Sequence, residues 1–89
     1  MQLHINGKRW AYRETVLKKH AGECDAPDKP AKEIRVDRRL TGERKLEVQI
    51  HEIMHAAAWY WDEDTVEAVA ADLARALYRL GYRDANGAE

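Results

Sequence analysis

The chain contains no phenylalanine, only two prolines and a single cysteine among its 89 residues. With one cysteine no internal disulfide can form, which excludes the disulfide-rich secreted domains and favours a reducing compartment. No apolar run approaches the length that crosses a bilayer, and the first residues lack the continuous apolar segment of a secretory signal. We therefore expect a soluble, cytoplasmic protein that does not work in a membrane.

The chain also lacks an excess of charge of either sign. Fifteen basic and sixteen acidic residues are mixed along the chain and give a formal net charge of −1. Such a balance produces no general field that would attract nucleic acid. The basic segment at residues 35–39 is interrupted by Asp37, and a solvated strand face explains it. We expect no nucleic-acid partner, and no feature of the sequence sets an oligomeric state.

The first half of the chain has the pattern of strands. Residues 2–5 and 9–15 flank an Asn-Gly pair at 6–7, a dipeptide that readily adopts the positive φ values of a tight hairpin turn. Glycine and both prolines mark residues 20–31 as a loop, and alternation of apolar and charged residues over 32–40 predicts a third strand.

The second half has the pattern of helices. Apolar residues recur at three- and four-residue steps over 42–60, the acidic cluster at 62–65 interrupts them, and a second helix then ends at Gly81. This order predicts an α+β fold in which a small three-stranded antiparallel sheet, made of the hairpin plus one strand, packs on a two-helix hairpin. Residues 1–83 would form a single domain, with a frayed tail at 84–89.

The sequence HEIMH at residues 51–55 predicts a metal site. His51 and His55 lie four residues apart on the first helix, so both imidazoles project from one face and can bind one tetrahedral Zn²⁺. Glu52 is rotated off that line and can take a proton from a metal-activated water. Two surface histidines, with a glutamate that only favours helix formation, would give the same sequence pattern without binding a metal. However, the pair lies beside the apolar stripe of the helix, which favours a metal.

A catalytic zinc needs a third protein ligand, and the register of the helical hairpin predicts Glu67. If the chain reverses near Trp61, His55 lies six residues before the turn and Glu67 six residues after it. Residues equidistant from the turn of an antiparallel hairpin face one another across a gap that His and Glu side chains can span with a metal between them.

Other roles and other ligands remain open at this point. Glu67 fits a capping box that begins at Asp64, in which it would bond to the start of the helix. Glu63 is the rival ligand, but it is closer to the expected turn and would not lie level with His51. Asp62 and Asp72 are weaker candidates.

At these residues the chain resembles the gluzincin type of zinc peptidase, and most closely the very short metallopeptidases of bacteria and their phages. The resemblance lies in IHEIMHA at residues 50–56 and VEAVA at 66–70, and it covers residues 32–80. The first motif is specific, whereas the second is loose.

The resemblance implies an enzyme that hydrolyses peptide bonds in peptide or protein substrates with a zinc cofactor. It implies His51, His55 and Glu67 as zinc ligands, and Glu52 as the general base and acid. It also implies that a substrate peptide lies along the edge of the third strand.

The chain departs from the larger gluzincins at two points. Ala71 stands where they often have an acidic residue that orients a histidine. No residue maps to the group that stabilises their tetrahedral oxyanion, and four candidates are available: His20, Arg75, Tyr78 and Tyr82. The alternative function is therefore a non-catalytic, zinc-stabilised module that binds a protein partner.

Two further segments admit both a functional and a structural interpretation. Cys24-Asp25 could cap the open zinc position and hold the enzyme latent, but a loop cysteine beside a turn-forming aspartate is the simpler interpretation. The aromatic residues at 59–61 could form a rim for substrate or a dimer contact, although aromatics at a helix end more often cover the core.

Overall fold

A computed structural model describes residues 1–85 and shows an α+β fold with four strands and two helices in this range. The elements are β1 (Gln2–Ile5), β2 (Lys8–Thr15), β3 (Gly22–Cys24), β4 (Glu33–Asp37), α1 (Gly42–Ala57) and α2 (Glu63–Arg79). The α+β class and the two helices were predicted from the sequence pattern, and both are confirmed.

The expected hairpin joins β1 to β2. Asn6 and Gly7 have φ values of 55° and 74°, so both adopt the left-handed conformation that a two-residue hairpin turn requires. The amide of the Asn6 side chain also donates to the carbonyl of Ala57 at the end of α1, which ties the turn to the helix.

The rest of the sheet differs from the expectation of three antiparallel strands. Its order is β1-β2-β4-β3, with β2 and β4 parallel and the two outer pairs antiparallel. The additional strand, β3, lies within residues 20–31, where glycine and proline predicted a loop. Three residues are too few to show the alternation that identifies a strand in a sequence.

Helix α1 lies between the sheet and α2. It contacts β1, β3 and β4, whereas α2 packs on α1 and on no strand within residues 1–85. The core on the sheet side consists of Trp10, Ile34, Val36, Val48 and Ala56. On the other side α2 buries the small residues Val66, Ala70 and Ala74, which allow the two helices to approach closely.

The connection between the helices begins earlier than expected. Helix α1 ends at Ala57 rather than near residue 60, and a turn follows in which the Trp61 amide donates to the Ala58 carbonyl at 2.9 Å. Asp62 caps α2 by accepting a 2.8 Å hydrogen bond from the Thr65 amide. The cap is therefore Asp62, and the capping box that we considered for Glu67 does not form.

The C-terminal segment is tied to α1 as far as it is described. Asp84, which lies in the expected frayed tail, binds the buried ammonium of Lys45, and Lys45 also pairs with Glu14 at 3.2 Å. Residues 86–89 of the expected tail lie outside the described residues. No helix within residues 1–85 is both long and apolar enough to cross a membrane.

Candidate metal centre

The two histidines of the HEIMH motif converge with a carboxylate from α2. Nε2 of His51 lies 2.8 Å from Oε1 of Glu63, and Nε2 of His55 lies 3.0 Å from Oε2 of the same side chain. The two Nε2 atoms are 3.1 Å apart. Together the three side chains form a group that could hold a metal ion.

Hydrogen bonds alone cannot satisfy these three contacts. If both Nε2 atoms donate a proton to Glu63, two N–H groups face each other across the 3.1 Å between His51 and His55. If one histidine donates to the other, the accepting nitrogen has no proton for the carboxylate. A cation placed between the three atoms accepts a lone pair from each and removes the conflict. The two nitrogens of a tetrahedral zinc site are separated by about 3.3 Å, which agrees with the spacing seen.

The position of the turn explains why Glu63 reaches the histidines. Because α1 ends at Ala57 and α2 begins at Glu63, the chain reverses within the turn from Ala58 to Trp61, earlier than the turn near Trp61 on which the prediction of Glu67 was based. Glu63, the first residue of α2, therefore faces His55 in the last turn of α1.

Glu67 is not part of the group of three, although it is close to it. It lies one helical turn after Glu63 and so on the same face of α2. It lines a second depression of about 350 Å³ that His51 and Glu52 also line. The structure thus brings together His51, His55 and Glu63, with Glu67 at the neighbouring end of the site.

Glu52 occupies a position that a hydrophobic residue would normally take. Four residues of α1 are buried on the side toward the sheet: Lys45, Val48, Glu52 and Ala56. Glu52 is only 7% exposed, and its carboxylate faces the cleft and accepts no hydrogen bond from protein groups within residues 1–85. Burial of an unpaired carboxylate costs free energy, so its place in this stripe needs a reason other than stability.

The environment of Glu52 favours its protonated form. Burial raises the pKa of Glu52 to about 7, with further contributions from the negative charges of Glu63 and Glu23, while Arg35 opposes the shift. A carboxyl group with a pKa near neutrality is suited to accept and release a proton during one reaction cycle.

A cleft of about 790 Å³ contains the group of three and Glu52. Strand β3 forms one wall, and the turn between the helices forms part of the rim. The lining residues outside the HEIMH motif are His20, Gly22, Glu23, Cys24, Trp59, Trp61 and Glu63. The aromatic segment at 59–61 therefore contributes two tryptophans to the cleft rather than to the core.

Of the four candidates for stabilising an oxyanion, one lines the cleft. His20 precedes β3 and lines both depressions beside His51. Tyr78 and Tyr82 line a different depression, and Arg75 pairs with Asp72 at 3.2 Å on an exposed face of α2. His20 is consequently the best placed of the four.

Cys24 and Asp25 lie in different environments, the first in the cleft and the second in contact with β4. The thiol of Cys24 lines the cleft, but burial and the nearby charge of Glu52 raise its pKa to about 12, which disfavours the thiolate that a metal binds. Asp25 accepts hydrogen bonds from Arg35 at 2.8 Å and from the Glu33 amide at 3.0 Å. Its carboxylate is thus engaged within the sheet.

Comparison of the chain with models of protein families, with curated proteins and with solved structures finds no match in any of the three.

Proposed function

We propose that this chain is a minimal zinc-dependent peptidase of the gluzincin type, which hydrolyses peptide bonds in peptide or protein substrates. The observation that supports this most strongly is the pairing of two features in one cleft. A His-His-Glu group suited to a metal lies beside Glu52, which is only 7% exposed and whose carboxylate faces the same cleft without a hydrogen bond from protein groups within residues 1–85. A site with only a structural role would need the first feature and not the second.

The ligands that we infer are His51, His55 and Glu63. We take Glu63 in place of Glu67 because its two oxygens lie within 3.0 Å of the histidine nitrogens. Two neutral imidazoles and one carboxylate are a typical ligand set for catalytic zinc, and the open side of the cleft leaves room for water and substrate. When bound, zinc would supply a Lewis acid that polarises water and the scissile carbonyl.

Glu52 would move the proton. Its carboxylate accepts a proton from water as the water oxygen bonds to the carbonyl carbon, and it then delivers that proton to the nitrogen as the C–N bond breaks. His20, at the rim, would donate a hydrogen bond to the developing oxyanion. The products are a carboxylic acid and an amine, and Glu52 is returned to its starting state.

The proposal includes a cytoplasmic location, which rests on the single cysteine, since one cysteine forms no internal disulfide. The alternative from the sequence, a zinc-stabilised interaction module, gives no account of Glu52. Such a module would be more stable with an apolar residue at this buried position.

The test is Glu52→Gln in zinc-loaded protein, with degradation of an unstructured protein such as casein followed by mass spectrometry. We expect the variant to retain zinc and to lose hydrolysis, because the amide keeps the size of the side chain but cannot accept the proton. Glu43→Gln, at an exposed position in the first turn of the same helix, is the matched control and should retain activity. Full activity in Glu52→Gln would contradict the mechanism. Inactive wild type with zinc fully loaded would favour the interaction module.

A further inference from the structure

We propose that one end of the cleft binds an arginine or lysine side chain of the substrate. We call this the tryptophan end, and it is defined by Glu23, Trp59, Trp61 and Glu63. The inference rests on the proposed function because it takes the ligand to be a peptide. It adds that the cleft prefers peptides with a basic residue.

The aromatic part of this end is held in place by the turn between the helices. Trp59 and Trp61 are 49% and 42% exposed, and both line the cleft, whereas Tyr60 between them is 85% exposed and does not line it. The Trp59 ring meets His55 edge-on, with ring centroids 6.3 Å apart. Two indoles thus border the metal-binding group, and the face of an indole ring attracts a guanidinium or ammonium group.

The charges at this end have the sign that a cation needs. Glu23 contributes a carboxylate that is not a proposed metal ligand, whereas the charge of Glu63 would be taken up by the zinc; none of the lining residues within residues 1–85 is lysine or arginine. Arg35 pairs with Glu23 at 2.9 Å and also with Asp25 and Glu33, which have further cationic partners in Lys29 and Arg13. The Glu23 side chain is 37% exposed, so its carboxylate is open to a second cation from the cleft.

The opposite end of the cleft has a different character. The depression beyond His51 is lined by two cationic residues, Lys19 and Arg44, and Arg44 pairs with Glu47 at 3.4 Å. Its lining also includes three carboxylates, those of Glu47, Glu52 and Glu67, but no tryptophan. Only the tryptophan end presents indole rings, and none of its lining residues within residues 1–85 is lysine or arginine, so a basic side chain of the substrate is favoured on that side of the metal. We therefore expect the preference at one position relative to the scissile bond.

The experiment measures binding apart from turnover. Zinc-loaded Glu52→Gln protein is titrated with a fluorescently labelled, unstructured host peptide in which one central residue is arginine, citrulline, leucine or glutamate. Citrulline has the shape of arginine without its charge. We expect the arginine peptide to bind about tenfold more tightly than the citrulline peptide, and the glutamate peptide to bind most weakly.

Matched variants locate the preference. Trp59→Leu, Trp61→Leu and Glu23→Gln should each reduce the ratio of arginine to citrulline affinity, whereas Tyr60→Leu, in the same turn but outside the cleft, should leave it unchanged. Zinc content is measured in each variant, because Trp59 contacts His55.

The outcomes separate this inference from the proposed function. Equal affinity for arginine, citrulline and leucine peptides, or no binding of any of them, would overturn it, even if wild type hydrolyses casein. A preference for arginine that Trp59→Leu removes would support it, even if wild type proves to be catalytically inactive. A preference that survives all three variants would overturn the assignment to this end of the cleft.

Discussion

Gly22 and Glu52 are in direct contact: a Cβ atom added to Gly22 would lie 2.8 Å from both Cγ and Oε2 of Glu52. The backbone of β3 therefore passes directly over the carboxylate that we propose as the general base. Only hydrogen in place of a side chain allows this approach, so Gly22 fixes how far Glu52 extends toward the metal group.

Gly22→Ala should lower the rate of hydrolysis by about tenfold or more. The added methyl group displaces the Glu52 carboxylate, and the rate of proton transfer depends on the distance between that carboxylate and the water. Zinc binding should be retained, since Gly22 is not a ligand. The measurements are kcat and zinc content on the same preparations.

The added methyl group would also lie 2.8 Å from Cγ1 of Val48, so a general loss of stability must be separated from the local effect. Gly22→Ala combined with Val48→Ala removes the contact between the added methyl group and the Val48 side chain. The contact between the methyl group and Glu52 remains in this double variant. If the double variant recovers both stability and rate, the loss in the single variant came from strain at Val48, and Gly22 does not position Glu52.

The third ligand is decided by a pair of isosteric variants. Glu63→Gln should weaken zinc binding more than about a hundredfold, because a charged ligand is lost, whereas Glu67→Gln should have little effect. Competition with a chromophoric chelator measures both affinities. The reverse result, a loss confined to Glu67→Gln, would restore the ligand that the sequence predicted and would mean that α2 shifts by one turn when zinc binds.

Most of the scaffold of this site was predictable from local patterns. The Asn-Gly turn, the spacing of His51 and His55 and the periodicity of both helices are encoded within short segments. The identity of the facing carboxylate was not, because it depends on where α1 ends. Ala56, Ala57 and Ala58 favour helix and conceal the end, and an error of a few residues there moves the partner of His55 by one turn of α2.

The contribution of β3 to the site could not be predicted from local sequence patterns either, but for a different reason. Gly22 and Glu23 lie in a segment of turn-forming composition, and they reach the site only because β4 offers an edge with which three residues can pair. A contact between Gly22 and Glu52 spans thirty positions of sequence and has no local signature. The one available signal was Glu52 itself, a charged residue in line with the buried positions of the helix.

Removal of either histidine should abolish stoichiometric metal binding. We expect one zinc per chain in wild type and in His4→Ala, whose histidine is exposed on β1, and substoichiometric zinc in His51→Ala and His55→Ala. Zinc at a thousand times its dissociation constant should stabilise the wild type by about 4 kcal/mol, and the two site variants should lose this gain. Metal analysis and thermal unfolding with and without a chelator measure both effects. Undiminished zinc content in both site variants would eliminate the site.

The raised pKa of Glu52 predicts that the proposed general base destabilises the metal-free protein. In the folded chain the pKa is about 7, against an ordinary value of 4.5, so the folded state holds this proton more tightly than the unfolded state does. Below about pH 4.5 both states are protonated at Glu52 and no penalty exists. As the pH rises from 4.5 toward 7 the unfolded state ionises first, and the free energy of unfolding falls; above 7 the penalty is complete.

Glu52→Gln removes this ionisation and should therefore be more stable than wild type above pH 7, by about 3 kcal/mol in the presence of a chelator, while the difference nearly vanishes at pH 4.5. Denaturant unfolding of both proteins across this range gives the difference directly, and contributions from other titrating groups largely cancel in it. Glu43→Gln should show no such pH-dependent gain. A difference between wild type and Glu52→Gln that is independent of pH would mean that the carboxylate is solvated in the metal-free protein. If the difference does depend on pH as expected, Glu52→Gln loses activity and gains stability. This combination is expected of a residue that is retained for catalysis although it lowers the stability of the fold.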